Sequence, residues 1–473
     1  MGQAAQHALI EAVRSRFGPK AALTDPTDIA PWLTDWRGRW HGSSAAILSP
    51  ASTQEVAAIV TLAAEHRVAL TPQGGNTGMV GGATPPADGS ALILSLRRMN
   101  RIRTLDPAAN LAVAEAGVIL ETLHHAAADA GRRFPLTLGA RGSATVGGLV
   151  STNAGGTQVL RFGAMRRLVA GVEAVLPDGS IHDGLAALKK DNRGYSLDEL
   201  LIGAEGTLGI VTAAALRLVP AISGRAVAWL GVATPDDALT ILRTLEQDTD
   251  RIEGFEIVPG ETLATVLAQV PGTRPPLAGT HAWHLLVEAT ATSPADEPCD
   301  ALLTRLLSPL VGSLVEDATV AASEAQAEAF WRLRDSISEA ERALGPALQH
   351  DISVPVDAMP RFMVDAAAEV ERAFPGSHAS GFGHLGDGNV HFHVRPPAAD
   401  PAGWVAANGT AASRLVHDLV TAAGGSISAE HGIGQMKKDE LARLLPPGRL
   451  AALRAIKAGL DPLRLMNPGK LID

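Results

Sequence analysis

Pro72-Gln-Gly-Gly-Asn-Thr-Gly-Met-Val-Gly-Gly82 follows directly on the apolar run Val68-Ala-Leu70. Its five glycines let backbone N–H groups approach a ligand closely, as in an anion-binding nest. A plain flexible loop has the same composition, so the flanking sequence decides. Upstream, Ala46-Ile-Leu48 predicts a strand, and Ser52-x-x-Glu55 predicts a capping box opening a helix to about Glu65. Downstream come a strand over Ala91–Leu96, a strand pair around Arg101–Thr104 and Leu111–Glu115, and a helix from about Leu120 to Ala130. A second glycine-rich region, Leu138-Gly-Ala-Arg-Gly-Ser-Ala-Thr-Val-Gly-Gly148, leads into Ser151-Thr-Asn-Ala-Gly-Gly156. A third, Gly203-Ala-Glu-Gly-Thr-Leu-Gly209, precedes a strand over Ile210–Val219. Short strands alternating with helices predict an α/β region. Three loops baring their backbone within it are explained together by one large cofactor carrying a diphosphate.

The C-terminal half is organised around Gly381-Phe-Gly-His-Leu-Gly-Asp-Gly-Asn-Val-His-Phe-His-Val394, which holds three of the 15 histidines of the chain. Asp387-Gly388-Asn389 is turn chemistry that brings His384 back toward His391. Beyond it, Asn389–Val394 alternates with the period of a strand, so His391 and His393 share a face. Gly381-x-Gly383-x-x-Gly386 matches the dinucleotide fingerprint by letter, but a strand follows it where the fingerprint needs a helix. A lone histidine is usually structural; clustering favours a metal site, since imidazole is the commonest metal ligand. Ser428-Ala-Glu430-His431-Gly-Ile-Gly434 adds an acid and a further histidine ahead of a helical run over Lys437–Leu445. Two histidines and a carboxylate leave coordination positions open, as catalytic sites do. That set suits Zn²⁺, Mn²⁺ or Co²⁺.

The 473 residues accommodate two or three domains, and 46% hydrophobic content supports substantial cores. A net charge of −10 argues against a nucleic-acid partner. Cys299, the single cysteine, can form no internal disulfide and fits a reducing compartment. No apolar run approaches the roughly eighteen residues that span a bilayer. Ala4–Phe17 carries Glu11, Arg14 and Arg16 and predicts an amphipathic helix, not a signal peptide. The expectation is a cytoplasmic protein, with peripheral attachment to the inner membrane as a second option. Beyond Pro220, strands over Ala226–Val232, His284–Glu288 and Ser353–Val356 mix with helices near Asp236–Glu246, Ser323–Leu344, Pro360–Phe374 and Val405–Ala423. That mixture predicts an antiparallel α+β domain.

Pro72–Gly82, Ser143–Gly148, Asn153–Gly156 and Gly203–Val211 resemble the FAD-binding domain of the vanillyl-alcohol oxidase and p-cresol methylhydroxylase superfamily. Gly383–His391, Ser428–Gly432 and Asn467-Pro-Gly-Lys470 narrow this to a resemblance with the FAD-linked D-2-hydroxyacid dehydrogenases. That family includes the D-2-hydroxyglutarate and D-lactate dehydrogenases and the glycolate oxidase flavin subunit. Lys190-Asp-Asn-Arg-Gly-Tyr195 leans toward the hydroxyglutarate branch. The resemblance runs from about Ala45 to the C-terminus. It implies an N-terminal helical segment (1–44), a p-cresol-methylhydroxylase-type FAD domain of two α/β subdomains (45–220), a substrate or cap domain (221–425) and a C-terminal segment returning to the flavin (426–473).

The family pattern further implies roles. Pro72, Gly74, Gly75, Asn76, Thr77, Gly78, Gly81 and Gly82 would cradle the FAD diphosphate. Leu138, Gly139, Ser143, Thr145, Gly147, Gly148, Asn153 and Gly155 would line the flavin ring and ribityl chain, and Glu205, Gly206, Gly209, Ile210 and Asn467 would complete the cofactor site. Asn76 stands where covalent relatives place a linking histidine, which implies non-covalent FAD. His384, His391 and Glu430 match the metal ligands, zinc foremost, with manganese or cobalt as alternatives. His431 matches the general base, and Arg334, Ser338, Gln349, Asn389 and His393 match substrate-binding positions. Two of these depart from the hydroxyglutarate pattern: Gln349 replaces a lysine, and His393 replaces an asparagine. The implied reaction is oxidation of a D-2-hydroxy acid, D-2-hydroxyglutarate first and D-lactate as the alternative. Electrons would pass to an electron-transfer flavoprotein, a quinone or a cytochrome, and a homodimer is compatible with the family. A zinc hydrolase built on His384, His391 and Glu430, or a non-catalytic flavin subunit, are the rival classes.

Overall fold

The computed structural model describes residues 2–472. Met1 and Asp473, the outer ends of the first and last expected segments, lie outside the described residues. The chain forms two compact units. One holds the chain up to Gly156, Phe162–Ala221 and the chain from Glu430 onward; the other holds Thr157–Arg161 and Ile222–Ala429.

The first unit contains two main sheets and a two-stranded ribbon of Arg132–Arg133 with Val219–Pro220. Parallel strands Ile47–Leu48, Ala91–Ser95 and Ala69–Gln73 lie side by side, with Ala22–Leu23 antiparallel at the edge. Helices Gly2–Phe17 and Thr53–His66 cover them, burying Leu9, Ile10 and Val13 from one and Val56, Ile59, Val60 and Ala63 from the other. These spacings of three and four place each set on one helical face. Ser52 caps the second helix by accepting the Glu55 N–H at 3.2 Å, while the Glu55 carboxylate turns to the Ala51 N–H at 2.8 Å. The glycine-rich loop after Gln73 therefore leaves the carboxyl end of a parallel strand, the end where open α/β sheets bind ligands.

The second sheet is antiparallel, in the order Ile102–Asp106, Leu111–Glu115, Ile210–Arg217, Val169–Val175 and Ile181–Asp183. Helices Leu120–Asp129 and Val146–Thr152 pack on it through Leu120, Leu123, Val146, Leu149 and Val150. Arg103 joins the two halves of the unit. Its guanidinium donates to both Glu173 oxygens at 3.0 and 3.1 Å and to Glu115 at 3.2 Å, and Thr53 donates to Glu173 at 2.6 Å.

The other unit is built on a seven-stranded antiparallel sheet. Its order is Asp317–Val320, Gly224–Val232, Trp283–Ala291, Ile252–Pro259, His378–His384, Asn389–Arg395 and Leu348–Ser353. Helices Pro235–Asp248, Cys299–Leu307 and Met359–Ala373 bury one face of it. Gly260–Gln269, Glu324–Asp335 and Ile337–Ala343 pack with a second cluster around Trp229 and Phe382. Two expectations change here. The strand expected over Ser353–Val356 lies earlier, at Leu348–Ser353, because the cross-strand partner is Asn389–Arg395 and Pro355 offers no donor to continue the ladder. The single helix expected over Ser323–Leu344 is two, broken at Ser336. Among the described residues no helix is long and apolar enough to cross a membrane.

His378 opens a central strand and is bonded on both sides, by Glu371 at 2.9 Å and Glu261 at 3.1 Å. The Glu261 bond, against partial burial, raises its pKa to about 8. A raised histidine stabilises the fold fully below its unfolded pKa of about 6.5 and loses that contribution as pH rises through about 8. His378→Gln should therefore lower the unfolding temperature at pH 6 by more than at pH 9, roughly bracketing the two pKa values. Equal losses at both pH values would show that the pairing adds nothing.

Candidate active site

Within the first unit, the three glycine-rich loops surround one cavity of about 620 Å³. That lies within the roughly 300–1,000 Å³ of small-molecule sites. Every expected cofactor residue lines it except Gly81, Asn153 and Asn467, and each of those three supports backbone. Gly81 offers its carbonyl to the Gln435 side chain at 2.9 Å. Asn153 caps helix Val146–Thr152 and accepts the Arg166 N–H at 2.8 Å. Asn467 donates to the carbonyls of Gly82 at 3.0 Å and Glu205 at 2.7 Å. Asn76 lines the cavity, with its amide donating to the Thr34 carbonyl at 2.9 Å. Glu430 and His431 line the same cavity.

The donor set fits a flavin nucleotide. Thr145 Oγ1 is buried in the lining with no hydrogen-bond partner, so it stands ready for one supplied by a ligand. A side chain at Gly74 would place its Cβ 2.2 Å from that oxygen, so glycine keeps the hydroxyl clear. Trp36, two-thirds exposed, stands in the lining as well, and sequence reasoning missed it.

In the other unit, the hairpin of His378–His384 and Asn389–Arg395 turns at Gly388, whose φ is +80°. His384 faces Asn389 across the ladder, and the His384 and His391 rings lie 5.5 Å apart as diagonal neighbours. Both His391 and His393 pack on Phe382, at 5.2 and 5.4 Å, which places them on the shared face expected from their alternation. The Arg334 guanidinium sits 5.4 Å from the same ring.

Glu256 organises this face, and sequence reasoning missed it. It is 1% exposed on the strand Ile252–Pro259, between Phe255 and Ile257. One oxygen accepts from Arg334 Nε at 2.7 Å; the other pairs with His384 Nδ1 at 2.6 Å. Burial pushes its carboxyl up, but Arg334 and His384 outweigh that and hold it at about 2. With Nδ1–H donated to a carboxylate, His384 presents Nε2, 3.5 Å from Arg334 Nη2. A carboxylate behind an imidazole is an arrangement that orients metal-binding histidines, though here Nε2 itself meets the Arg334 guanidinium. The signal that could have found Glu256 is an acid set between Phe255 and Ile257 in a mostly apolar strand that also carries Glu253, because a buried charge must be paired.

The other expected substrate residues are spread over this unit. Asn389 donates to Asp351 at 3.0 Å and the Ile352 carbonyl at 2.9 Å, leaving its buried Oδ1 without a partner. Gln349 pairs across the ladder with His393, whose Nδ1 meets the buried Glu341 at 3.2 Å. Glu341 also binds Arg395. Ser338 is exposed on helix Ile337–Ala343.

Comparison with known proteins decides the family. Residues 223–471 match the model for the C-terminal domain of FAD-linked oxidases, and residues 44–184 match an FAD-binding domain. The chain belongs to the FAD-linked oxidases. Relatives include the mitochondrial D-2-hydroxyglutarate dehydrogenase of Bos taurus, 37% identical over 462 residues, which cover 98% of this chain and 83% of that protein. The D-2-hydroxyglutarate dehydrogenase of Xanthomonas citri pv. viticola is 37% identical over 451 residues, 95% of this chain and 94% of that one. A structure of p-cresol methylhydroxylase with substrate bound shares the fold with a TM-score of 0.76 at 16% identity, covering 100% of this chain and 98% of that chain. This FAD-linked oxidase is thus a flavoprotein oxidoreductase of the fold that the glycine-rich loops imply.

Removing Glu256 from the family member would strand Arg334 in a buried position. Glu256→Ala should cost about 3–5 kcal/mol of stability, the usual result of breaking a buried ion pair from one side. Denaturant unfolding of the isolated variant measures it, and a loss near zero would mean that Arg334 finds another partner.

Proposed function

We propose that the chain oxidises a D-2-hydroxy acid to the 2-oxo acid with FAD and a divalent metal, and that D-2-hydroxyglutarate is the substrate. The observation carrying this reading is the Glu256 bridge. It holds Arg334, proposed to bind the substrate carboxylate, beside His384, proposed to bind the metal, an arrangement that suits a substrate with adjacent hydroxyl and carboxylate. The relatives named D-2-hydroxyglutarate dehydrogenase support the choice of substrate. His384, His391 and Glu430 are the proposed ligands, for zinc first and manganese or cobalt otherwise. FAD is proposed to be non-covalent because Asn76 occupies the linking position. Bound in the glycine-lined cavity, FAD would supply a hydride acceptor, and a metal held by His384, His391 and Glu430 would supply Lewis acidity.

The chain's own residues supply the rest. Arg334 clamps the substrate carboxylate and fixes which face of the α-carbon is presented. Asn389 offers its unpartnered Oδ1 to a substrate donor. His431 takes the hydroxyl proton on a ring nitrogen, a task suited to imidazole near neutrality.

A second reading, D-lactate oxidation, is favoured by Gln349. It brings no charge to a distal carboxylate, and its cross-strand neighbour is His393, a residue already paired with Glu341. A panel of D- and L-2-hydroxy acids with a dye acceptor decides between the two. The proposal expects the highest kcat/KM for D-2-hydroxyglutarate; D-lactate ahead of it would transfer the assignment, and no turnover of any D-acid would sink both. Acid precipitation should leave FAD in the supernatant; flavin retained on the polypeptide would refute the non-covalent claim.

His431→Ala should keep its metal yet slow flavin reduction by roughly 10²–10⁴-fold. Metal content and stopped-flow absorbance separate the roles: loss of metal in this variant would make His431 a ligand.

A further inference from the structure

Glu205 stands in the loop Gly203–Gly209 with φ +51° and 8% exposure. A left-handed backbone is uncommon for a residue with a side chain, and the loop is held in it from both sides. Glu205 N–H donates to the Ser151 carbonyl at 2.8 Å, and its own carbonyl accepts from Asn467 at 2.7 Å. From that fixed base both carboxylate oxygens are used. Oε1 accepts the Ile433 N–H at 2.8 Å and Oε2 the Gly434 N–H at 2.8 Å. These amides belong to the turn directly after Glu430 and His431, which line the same cavity as Glu205. Gly432 is fitted to the contact: its φ is +80°, and a Cβ there would lie 3.0 Å from Oε1. Burial pushes the Glu205 carboxyl up, while the two amides and the charges of Lys437 and Lys470 pull it down.

Two charge-assisted bonds from one rigid carboxylate fix a dipeptide in rotation as well as position. We infer that Glu205 is a positioning residue: by gripping the amides of Ile433 and Gly434 it sets where His431 points into the cavity. The inference rests on the reading of His431 as the base. It assigns both carboxylate oxygens of Glu205 to the protein's own turn.

The isosteric Glu205→Gln variant tests it, since the amide nitrogen would face an N–H donor. Hydrogen–deuterium exchange at Ile433 and Gly434 should rise while the loops around Gly74 and Ser143 keep their protection. FAD should stay bound with an unchanged spectrum. Flavin reduction at saturating substrate should slow by about 10²-fold, the scale of a small misplacement, with KM little altered. In the Glu205→Gln, His431→Ala double variant, reduction should be no slower than in His431→Ala alone, because both changes act through one group. A fully additive loss, or unchanged exchange at residues 433 and 434, overturns the inference. If Glu205→Gln loses FAD, Glu205→Asp is measured in the same way; failure of both to hold flavin would make Glu205 a folding or cofactor residue and overturn it too. A wild-type rate in His431→Ala alone would instead refute the base assignment, and the exchange data would still report on the grip.

Discussion

A loop that bares its backbone to a cavity must still satisfy the peptide groups turned the other way. In the first unit that requirement falls on the C-terminal segment. Asn467 donates to the carbonyls of Gly82 and Glu205, Gln435 to those of Gly81 and Thr84, and Lys457 to that of Thr207. Leu70 donates its N–H to the Leu465 carbonyl and accepts the Asn467 N–H, each at 2.8 Å. Lys457 is itself neutralised by Asp461 at 2.6 Å, so the donor that serves the carbonyl carries no orphan charge. The glycine-rich loops can be open on one side only because these side chains close the other.

Two buried carboxylates carry the architecture by opposite means. Glu205 is surrounded chiefly by backbone amides, and burial leaves its pKa raised. Glu256 sits between a guanidinium and an imidazole, and those charges depress it. The first arrangement fixes a main-chain turn; the second fixes two side chains that could otherwise choose among rotamers. Each uses the same functional group where the burden to be held is different.

Legibility in the sequence followed how local the cause was. The Ser52 cap, the Asp387-Gly388-Asn389 turn and the alternation over His391 and His393 are decided by near neighbours, and each reads directly from the residues. The cavity-lining loops read from glycine clusters for the same reason. Strand Leu348–Ser353 did not, because Gln349, His350 and Asp351 break the apolar signature while tertiary partners supply what periodicity lacks. The break at Ser336 was hidden because serine is tolerated inside a helix and the stop comes from packing. Glu256 could be flagged as a charge in a buried strand, but its partners, 78 and 128 residues away, could not be read from the sequence. The fold class was therefore legible almost throughout, while the polar contacts that aim the site residues were not.

The C-terminal segment has a consequence for the order in which the molecule can come into being. A ribosome makes the parallel strands and the three glycine-rich loops first, and the residues of Ile222–Ala429, which form a compact unit of their own, next. Only then does it make Gln435, Lys457 and Asn467. Contacts that span most of the chain are the last to form during vectorial synthesis. Until they do, the carbonyls of Gly82, Glu205 and Thr207 lack the side-chain donors that bind them in the finished fold. The backing of the glycine-rich loops is thus complete only when the C-terminal segment has been made.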